Sequence, residues 1–162
     1  SAHFEQIPAF GLVACRKCRH AVWPDAVGAH LRGGEHRMSR RQAQAVSDKL
    51  IELWGDRLLR RPAELEVPAS VEAAIPQLPI FPDGLLCEVE SDRCRFVCRN
   101  ENRIRNHCRD AHGWTKQGRG GRPSKADQLR AAGKEPWRRG VRCQRFFPSR
   151  HASQFFAVMM ER

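Results

Sequence analysis

The segment CRKCRHAVWPDAVGAHLRGGEH, residues 15–36, contains a cysteine and histidine pattern from which the fold of this chain can be inferred. Its cysteines and histidines are spaced Cys15-x2-Cys18-x11-His30-x5-His36. Structural zinc takes four thiolate or imidazole ligands at tetrahedral corners, and a close cysteine pair followed by two histidines about one helical turn apart supplies them. The pattern therefore predicts a zinc site of two cysteines and two histidines.

A second cluster, CEVESDRCRFVCRNENRIRNHCRDAH at residues 87–112, has the same ligand types in the order Cys87-x6-Cys94-x12-His107-x4-His112. Cys98 stands where a standard finger packs an apolar residue, so we expect a small hydrophobe there rather than a ligand. The alternative set of Cys94, Cys98, His107 and His112 leaves only eight residues between its inner pair, which is short for a hairpin that turns into a helix. The chain is thus predicted to bind two zinc ions through eight ligands, namely Cys15, Cys18, His30, His36, Cys87, Cys94, His107 and His112.

Size and cysteine usage favour a small intracellular protein. The 162 residues make one domain or two small ones, and zinc can replace the core that a module of about forty residues cannot build. Of seven cysteines, Cys98, Cys108 and Cys143 remain outside the predicted sites, an odd number that fits a reducing compartment. No apolar run approaches the roughly twenty residues that span a bilayer, so we expect a soluble protein that is not secreted, and one that is a fragment of a larger chain.

Positive charge is concentrated in the second half of the chain, although the whole carries a net charge of +11. Residues 1–92 have 11 basic and 13 acidic side chains, whereas residues 93–162 have 18 basic and 5 acidic ones. Such a basic half is typical of a surface that binds a polyanion. No amphipathic basic helix with bulky apolar residues accompanies it, which argues against a membrane partner.

The order of motifs predicts a small, zinc-stabilised α+β protein with two separated ββα fingers of the C2H2 type. Residues 1–61 hold the first finger and a long amphipathic helix, and residues 62–84, with five prolines between 62 and 82, form a linker. Residues 85–115 hold the second finger. Residues 116–162 are predicted to contain a basic loop, a short helix over 124–133, and a β-hairpin of strands 137–147 and 154–160.

The amphipathic helix is predicted over residues 40–60. Ser39 followed by Gln42 forms a capping box at its start. Residues with helical spacing form one predicted face, namely Ala43, Val46, Leu50, Leu53, Trp54 and Arg57. We expect that face to pack on the first finger or on a second copy of the chain.

The two predicted finger helices differ in their capacity to read bases. In a standard finger, side chains at helix positions −1, 3 and 6 face successive bases, and the first histidine ligand falls at position 7. In the first finger these positions hold Trp23, Ala26 and Ala29, whose side chains cannot form two hydrogen bonds to one base. In the second they hold Asn100, Arg103 and Asn106, which suit adenine and guanine. Phosphate contacts are predicted for four nearby arginines, Arg95, Arg99, Arg105 and Arg109.

A further basic run, RGGRPSK at residues 119–125, is similar to an AT-hook that lies in the minor groove of A·T tracts, with one extra glycine. Its predicted contacts are Arg119, Arg122 and Lys125. A plain flexible basic loop is the alternative.

The order of parts resembles the fungal family typified by the orsellinic acid biosynthesis cluster protein D. The resemblance lies in LVACRKCRHAVWPDAVGAHLRGGEH, in PIFPDGLLCEVESDRCRFVCRNENRIRNHCRDAHGW, and in the closing VRCQRFF and QFFAV segments. It implies a fungal double zinc-finger module of the nucleus, in a family some of whose members are joined to helicase-like or transposon-derived regions. The six residues between Cys87 and Cys94 depart from the family pattern.

Three function classes follow. The first is binding of double-stranded DNA through the second finger and the basic half, and the alternative is a protein-interaction or dimerisation module acting through residues 40–60. Binding of RNA or single strands ranks third, because it needs exposed stacking aromatics. We expect no enzyme and no small-molecule substrate, since both zinc sites are filled by protein ligands.

Overall fold

The computed structural model describes residues 2–114 and 135–159, and it confirms a mixed α+β protein. The strands are β1 (Phe4–Ile7), β2 (Leu12–Cys15), β3 (Ala21–Val22), β4 (Ser70–Val71), β5 (Phe81–Cys87), β6 (Val97–Cys98), β7 (Trp137–Gln144) and β8 (Phe156–Val158). The α-helices are α1 (Val27–Arg32), α2 (Arg40–Trp54) and α3 (Glu101–His112). The predicted helix over 124–133 and the basic run 119–125 lie outside the described residues.

The chain forms two compact units, and each draws on separate stretches of sequence. Among the described residues, the first unit contains 2–67, 75–79 and 145–153, and the second contains 68–74, 80–114, 135–144 and 154–159. This division differs from the four consecutive segments expected from the sequence. Part of the predicted linker 62–84 is built into structure, because β4 pairs in parallel with β8 and β5 begins within that range.

The first unit contains a three-stranded antiparallel sheet in the order β1-β2-β3. A 3-10 turn at Pro24–Ala26 leads from β3 into α1, whose buried residues are Val27 and Leu31. These two side chains share a core with Phe4, Val13 and residues of α2. The first cysteine–histidine segment therefore runs from a pair of strands into a helix.

Helix α2 begins at the predicted capping box and ends earlier than predicted. The Ser39 side chain accepts a hydrogen bond from the Gln42 backbone, and the Gln42 side chain accepts one from the Ser39 backbone, both at 3.1 Å. The helix ends at Trp54 and continues as a 3-10 turn over Gly55–Arg57. Ala43 and Leu50 are buried in the first unit's core, with Val46 and Trp54 packed against them.

The second unit is built on a five-stranded sheet in the order β4-β8-β7-β5-β6. Helix α3 contributes Ile104 and Cys108 to a core that also contains Leu85 and Trp137. Strands β7 and β8 pair antiparallel at Cys143 with Ala157 and at Gln144 with Phe156, so the predicted hairpin forms as part of a larger sheet.

Gly84 allows β5 and β7 to approach closely. A Cβ atom at this position would collide with the carbonyl oxygen of Val141, and the register of β5 against β7 is irregular on both sides of it. A larger residue would push the two strands apart. Within the described residues, no helix has both the length and the apolar character needed to cross a membrane.

Candidate metal centres

The first cysteine–histidine group converges at the end of the β2–β3 strand pair. Cys15 lies at the end of β2, Cys18 in the following turn and His30 in α1, while His36 follows the helix. One ligand atom from each of the four lies within 4.8 Å of the others. His36 Nε2 is 3.3 Å from Cys15 Sγ and 3.6 Å from Cys18 Sγ.

Backbone hydrogen bonds fix the two cysteines of this group. Cys15 N–H donates to the His20 carbonyl at 2.9 Å, and Arg19 N–H donates to the Cys15 carbonyl at 2.8 Å. The Cys18 N–H points at Cys15 Sγ, 3.4 Å away. An N–H directed at sulfur stabilises a thiolate, so the turn is prepared for a cation.

His36 reaches the group through a turn rather than through the helix. Gly33 ends α1, its N–H donating to the Ala29 and His30 carbonyls, and His36 N–H donates to the Gly33 carbonyl at 3.1 Å. Five residues between the histidines exceed one helical turn, so the chain must leave the helix to bring both imidazoles to one point.

The second group has the same composition and a different local design. Cys87 ends β5, Cys94 lies in the loop before β6, and His107 and His112 both lie on α3. Cys94 Sγ is 3.2 Å from His107 Nε2, and Cys87 Sγ is 3.3 Å from His112 Nε2. All four ligand atoms again lie within 4.8 Å of one another.

The wide spacing between Cys87 and Cys94 is absorbed by a turn. Arg93 N–H and Cys94 N–H both donate to the Glu90 carbonyl, at 2.9 and 2.7 Å. Cys87 N–H donates to the Phe96 carbonyl at 2.9 Å, which returns the chain beside the strand it left. Six intervening residues therefore place the two sulfurs at one centre, and the departure from the usual spacing does not separate them.

Cys98 lies apart from this second group, as the sequence predicts. Its side chain is buried beside Ile104, and its S–H donates to the Asn100 carbonyl at 3.3 Å. Burial raises the pKa of this thiol. A protonated, buried thiol that is bonded to a carbonyl acts as a packing residue.

Burial also governs the electrostatics of the ligands. Burial, together with the neighbouring Cys15, raises the pKa of Cys18 to about 11, and burial lowers the pKa of His30. The Cys108 thiol donates a hydrogen bond that lowers the pKa of Cys87 well below its ordinary value. The lowered pKa of His30 favours the neutral form that a metal requires, whereas a metal ion must displace the proton of Cys18.

One buried atom in the first group lacks a partner of its own. His30 Nε2 is buried and has no hydrogen-bond partner within the described part of the chain. A buried polar atom without a partner costs free energy. Because it belongs to one of the four converging residues, a metal ion at this centre would satisfy it.

All three predicted base-reading residues are exposed, but only two of them lie within α3 with side chains that do not cap the helix. Arg103 and Asn106 are exposed. Asn100 is the helix N-cap, and its Oδ1 accepts the Arg103 N–H at 3.1 Å. Its amide oxygen is therefore committed to the helix, which the Asn-Glu-Asn-Arg sequence could have indicated.

Most of the predicted phosphate-binding arginines on this unit pair with carboxylates. Arg99 forms a bidentate pair with Asp83, at 2.6 and 3.1 Å, and its guanidinium lies 4.0 Å from the centroid of the Phe81 ring. Arg105 pairs with Glu101 at 3.4 Å, and Arg109 pairs with Asp110 at 3.0 Å. Arg95 is exposed. The remaining predicted contacts, Arg119, Arg122 and Lys125, lie outside the described residues.

The corresponding positions of the first unit line an apolar cleft. Trp23 stacks on Phe147 with ring centroids 4.6 Å apart and an interplanar angle of 17°. Ala26 and Ala29 line the same cleft. The sequence predicts Phe147 at the end of a strand but does not predict this contact, because Phe147 and Trp23 are distant in the chain.

Fold and site together define a small α+β protein with two groups of two cysteines and two histidines, each able to hold a metal ion. The sequence profile of the family described as orsellinic acid/F9775 biosynthesis cluster protein D matches residues 2–113. The chain therefore belongs to this family, which confirms the resemblance seen in its motifs.

One curated relative is the orsellinic acid/F9775 biosynthesis cluster protein D of Emericella nidulans, which is 30% identical over 105 residues. The matched region covers 64% of this chain and 19% of the relative. The chain thus spans about a fifth of the length of that protein. No solved structure matches the chain.

Proposed function

We propose that each metal centre binds one structural zinc ion and that the two centres are C2H2-type fingers. With zinc bonds of about 2.3 Å to sulfur and about 2.0–2.1 Å to nitrogen, tetrahedral angles put neighbouring S and N atoms about 3.5 Å apart. The four recorded S to Nε2 distances run from 3.2 to 3.6 Å. This agreement is the observation that carries the zinc assignment.

The same ligand count supports a structural rather than a catalytic role. A catalytic zinc keeps one position open for water or substrate, whereas two cysteines and two histidines fill a tetrahedral shell. In each centre one cysteine is buried and the other three ligands are partly buried. The bound ion would therefore stabilise the fold instead of activating water.

We infer that the second unit binds double-stranded DNA through α3 and the basic half of the chain. The support is the charge distribution and the exposed Arg103 and Asn106, which can bridge guanine and adenine in the major groove. The carboxylate partners of Arg99, Arg105 and Arg109 are also exposed, and exposed ion pairs contribute little to stability. These arginines can therefore exchange a carboxylate for a phosphate at small cost.

A salt titration tests this proposal. Zinc-loaded protein is mixed with labelled random duplex, A·T-rich duplex and single-stranded DNA, and the anisotropy is followed from low to high salt. Duplex affinity should fall with the logarithm of salt concentration with a slope of about −0.9 for each phosphate neutralised. An affinity that does not change with salt concentration, or that is higher for single-stranded DNA, would refute the inference.

Arg103 separates base reading from phosphate contact. If it reads guanine, R103A should cost about 1–3 kcal/mol at one base position of a selected site. The matched variant is R95A, which replaces an exposed arginine outside α3. It should weaken binding to all duplexes by similar factors. If R103A instead weakens binding to every duplex by the same factor, Arg103 contacts phosphate rather than a base.

We further propose that the module acts in the nucleus as part of a longer fungal protein. DNA binding requires access to chromatin, and the relative of known length extends well beyond the matched region. Imaging a fluorescent fusion of the full-length parent protein tests this assignment. Exclusion of the fusion from nuclei would contradict it.

A further inference from the structure

The first unit has an open cleft of about 560 Å³ beside its metal centre. Helix α1 and the turn before it form one wall, and residues 147–151 form the other. The residues that matter for binding are Trp23, Ala26, Ala29, Phe147, Arg150 and His151. The volume lies within the range of about 300–1,000 Å³ typical of ligand sites.

Contacts within the unit join the two walls of the cleft. Trp23 stacks on Phe147, and Ala21 N–H donates to the Phe146 carbonyl at 2.7 Å. The Ser153 hydroxyl donates to the Arg150 carbonyl at 2.7 Å, which closes the turn that carries the second wall. A preformed site loses less conformational entropy when it is occupied.

The chemistry of the cleft differs from that of a DNA-reading surface. Trp23, Ala26 and Ala29 occupy the base-reading positions of the first finger, yet they present an aromatic face and two methyl groups. Arg150 and His151 in the second wall are both exposed, and the described residues that line the cleft include no carboxylate. An apolar lining beside the positive charge of Arg150 complements an apolar side chain flanked by negative charge.

The openness and the charge of the cleft favour a protein segment over a small molecule or a nucleic acid. Small molecules usually bury about 70–90% of their surface in a closed pocket, whereas this cleft is open to solvent. A nucleic acid would need several cations along the groove, and the described lining holds one arginine and three histidines. A chain segment that inserts one or two bulky side chains satisfies both the shape and the charge.

We propose that this cleft is a docking site for a short acidic segment of a partner protein that carries bulky apolar side chains. The proposal rests on the zinc proposed for the first centre, because the His30 helix forms one wall, and it does not rest on DNA binding. In this arrangement the first finger holds a protein while the second unit holds DNA.

The test uses an acetylated peptide of about ten residues with two phenylalanines among glutamates. Binding to the zinc-loaded chain is measured by calorimetry and by the change in tryptophan emission, since Trp23 lies in the cleft and the peptide lacks tryptophan. We expect a micromolar Kd that weakens with salt. A peptide with both phenylalanines replaced by serine should not bind.

Variants locate the site. Ala29 is exposed on α1, so A29E places bulk and negative charge in the cleft, and we expect binding to weaken at least about tenfold. The matched control is A45E, on the exposed side of α2, which should bind like the parent chain. Zinc content and melting temperature check that each variant is folded.

A second substitution tests the positive charge of the cleft. Arg150 has a positive φ of 66°, so R150G keeps the backbone conformation while removing the charge. Binding should weaken several-fold with R150G and be retained with R150K. No peptide binding, equal binding by A29E, or equal binding of the serine peptide would overturn the proposal.

The duplex titration separates the two proposals. A29E should leave duplex affinity and its salt slope unchanged while peptide binding is lost. If A29E lowers duplex affinity instead, the cleft contacts nucleic acid and the docking proposal fails. If the parent chain does not bind duplex DNA, the DNA-binding proposal fails, but the peptide measurements still test the docking proposal.

Discussion

At the scale of single residues, the second unit separates cysteines that can hold a metal from cysteines that fill its core. Cys87 and Cys94 meet two imidazoles, whereas Cys98 turns toward a backbone carbonyl. Spacing favours Cys87 over Cys98 as a ligand, because Cys98 leaves only eight residues between the inner pair, although Cys87 is farther from Cys94 than is usual. The turn at Glu90 decides between them by returning Cys94 to the end of β5.

Replacing Cys87 should remove one metal ion. C87S leaves three ligands at the second centre, and structural zinc supplies much of the folding free energy of a small module. Native mass spectrometry should therefore find one ion instead of two, and the second unit should melt at lower temperature. The control C98A removes a packing thiol and should retain two ions. Two ions in C87S with one in C98A would support the alternative ligand set.

Asn100 should act on stability rather than on base choice. N100A removes the side chain that caps α3 and should cost about 1 kcal/mol of folding free energy. N100D keeps an acceptor at the cap and should remain close to the parent in a denaturant titration. If N100A changes the base preference and leaves the stability unchanged, Asn100 is a base-reading residue instead.

At the scale of elements, α2 shows how far periodicity predicts burial. The capping box and the apolar face formed by Ala43, Val46, Leu50 and Trp54 are readable from the sequence, and the structure confirms them. Leu53 was assigned to the same face, yet it is 43% exposed. At about 100° per residue it lies about 60° around the helix from Leu50, at the edge of the face. Which edge residues touch a neighbour depends on the shape of that neighbour.

The pair Leu50 and Leu53 tests this orientation. L50A empties a fully buried position and should destabilise the chain by about 2–5 kcal/mol. L53A changes a partly exposed position and should cost under about 1 kcal/mol. Equal losses in chemical denaturation would mean that Leu53 is buried in solution, for example by a second copy of the chain.

At the scale of the whole molecule, folding and metal binding are expected to be one process. The chain is divided into two units that each contain one cysteine–histidine group. Small cores of this kind gain stability from the ion that joins strand, turn and helix. Protonation of the ligand side chains therefore competes with metal binding, and through it with folding.

The apparent zinc affinity should rise with pH. Burial raises the pKa of Cys18 to about 11, so its proton is bound at neutral pH and must leave when the ion binds. Each proton displaced makes the affinity about tenfold higher per pH unit below that pKa. Competition with a chromophoric chelator at pH 6, 7 and 8 measures the slope. A flat profile would mean that no thiol proton is displaced.

The eight candidate ligands, the start of α2, the α+β class and the family can be read from the amino-acid sequence, because each depends on residues close together in the chain. Ligand spacing, capping and helical periodicity are local properties, and short chain separations restrict where side chains can go. The folded structure is needed to see that Asp83 pairs with Arg99, that β4 joins the sheet through β8, and that Phe147 stacks on Trp23. Those contacts join residues 16 to 124 positions apart, and their register depends on packing that no local pattern encodes.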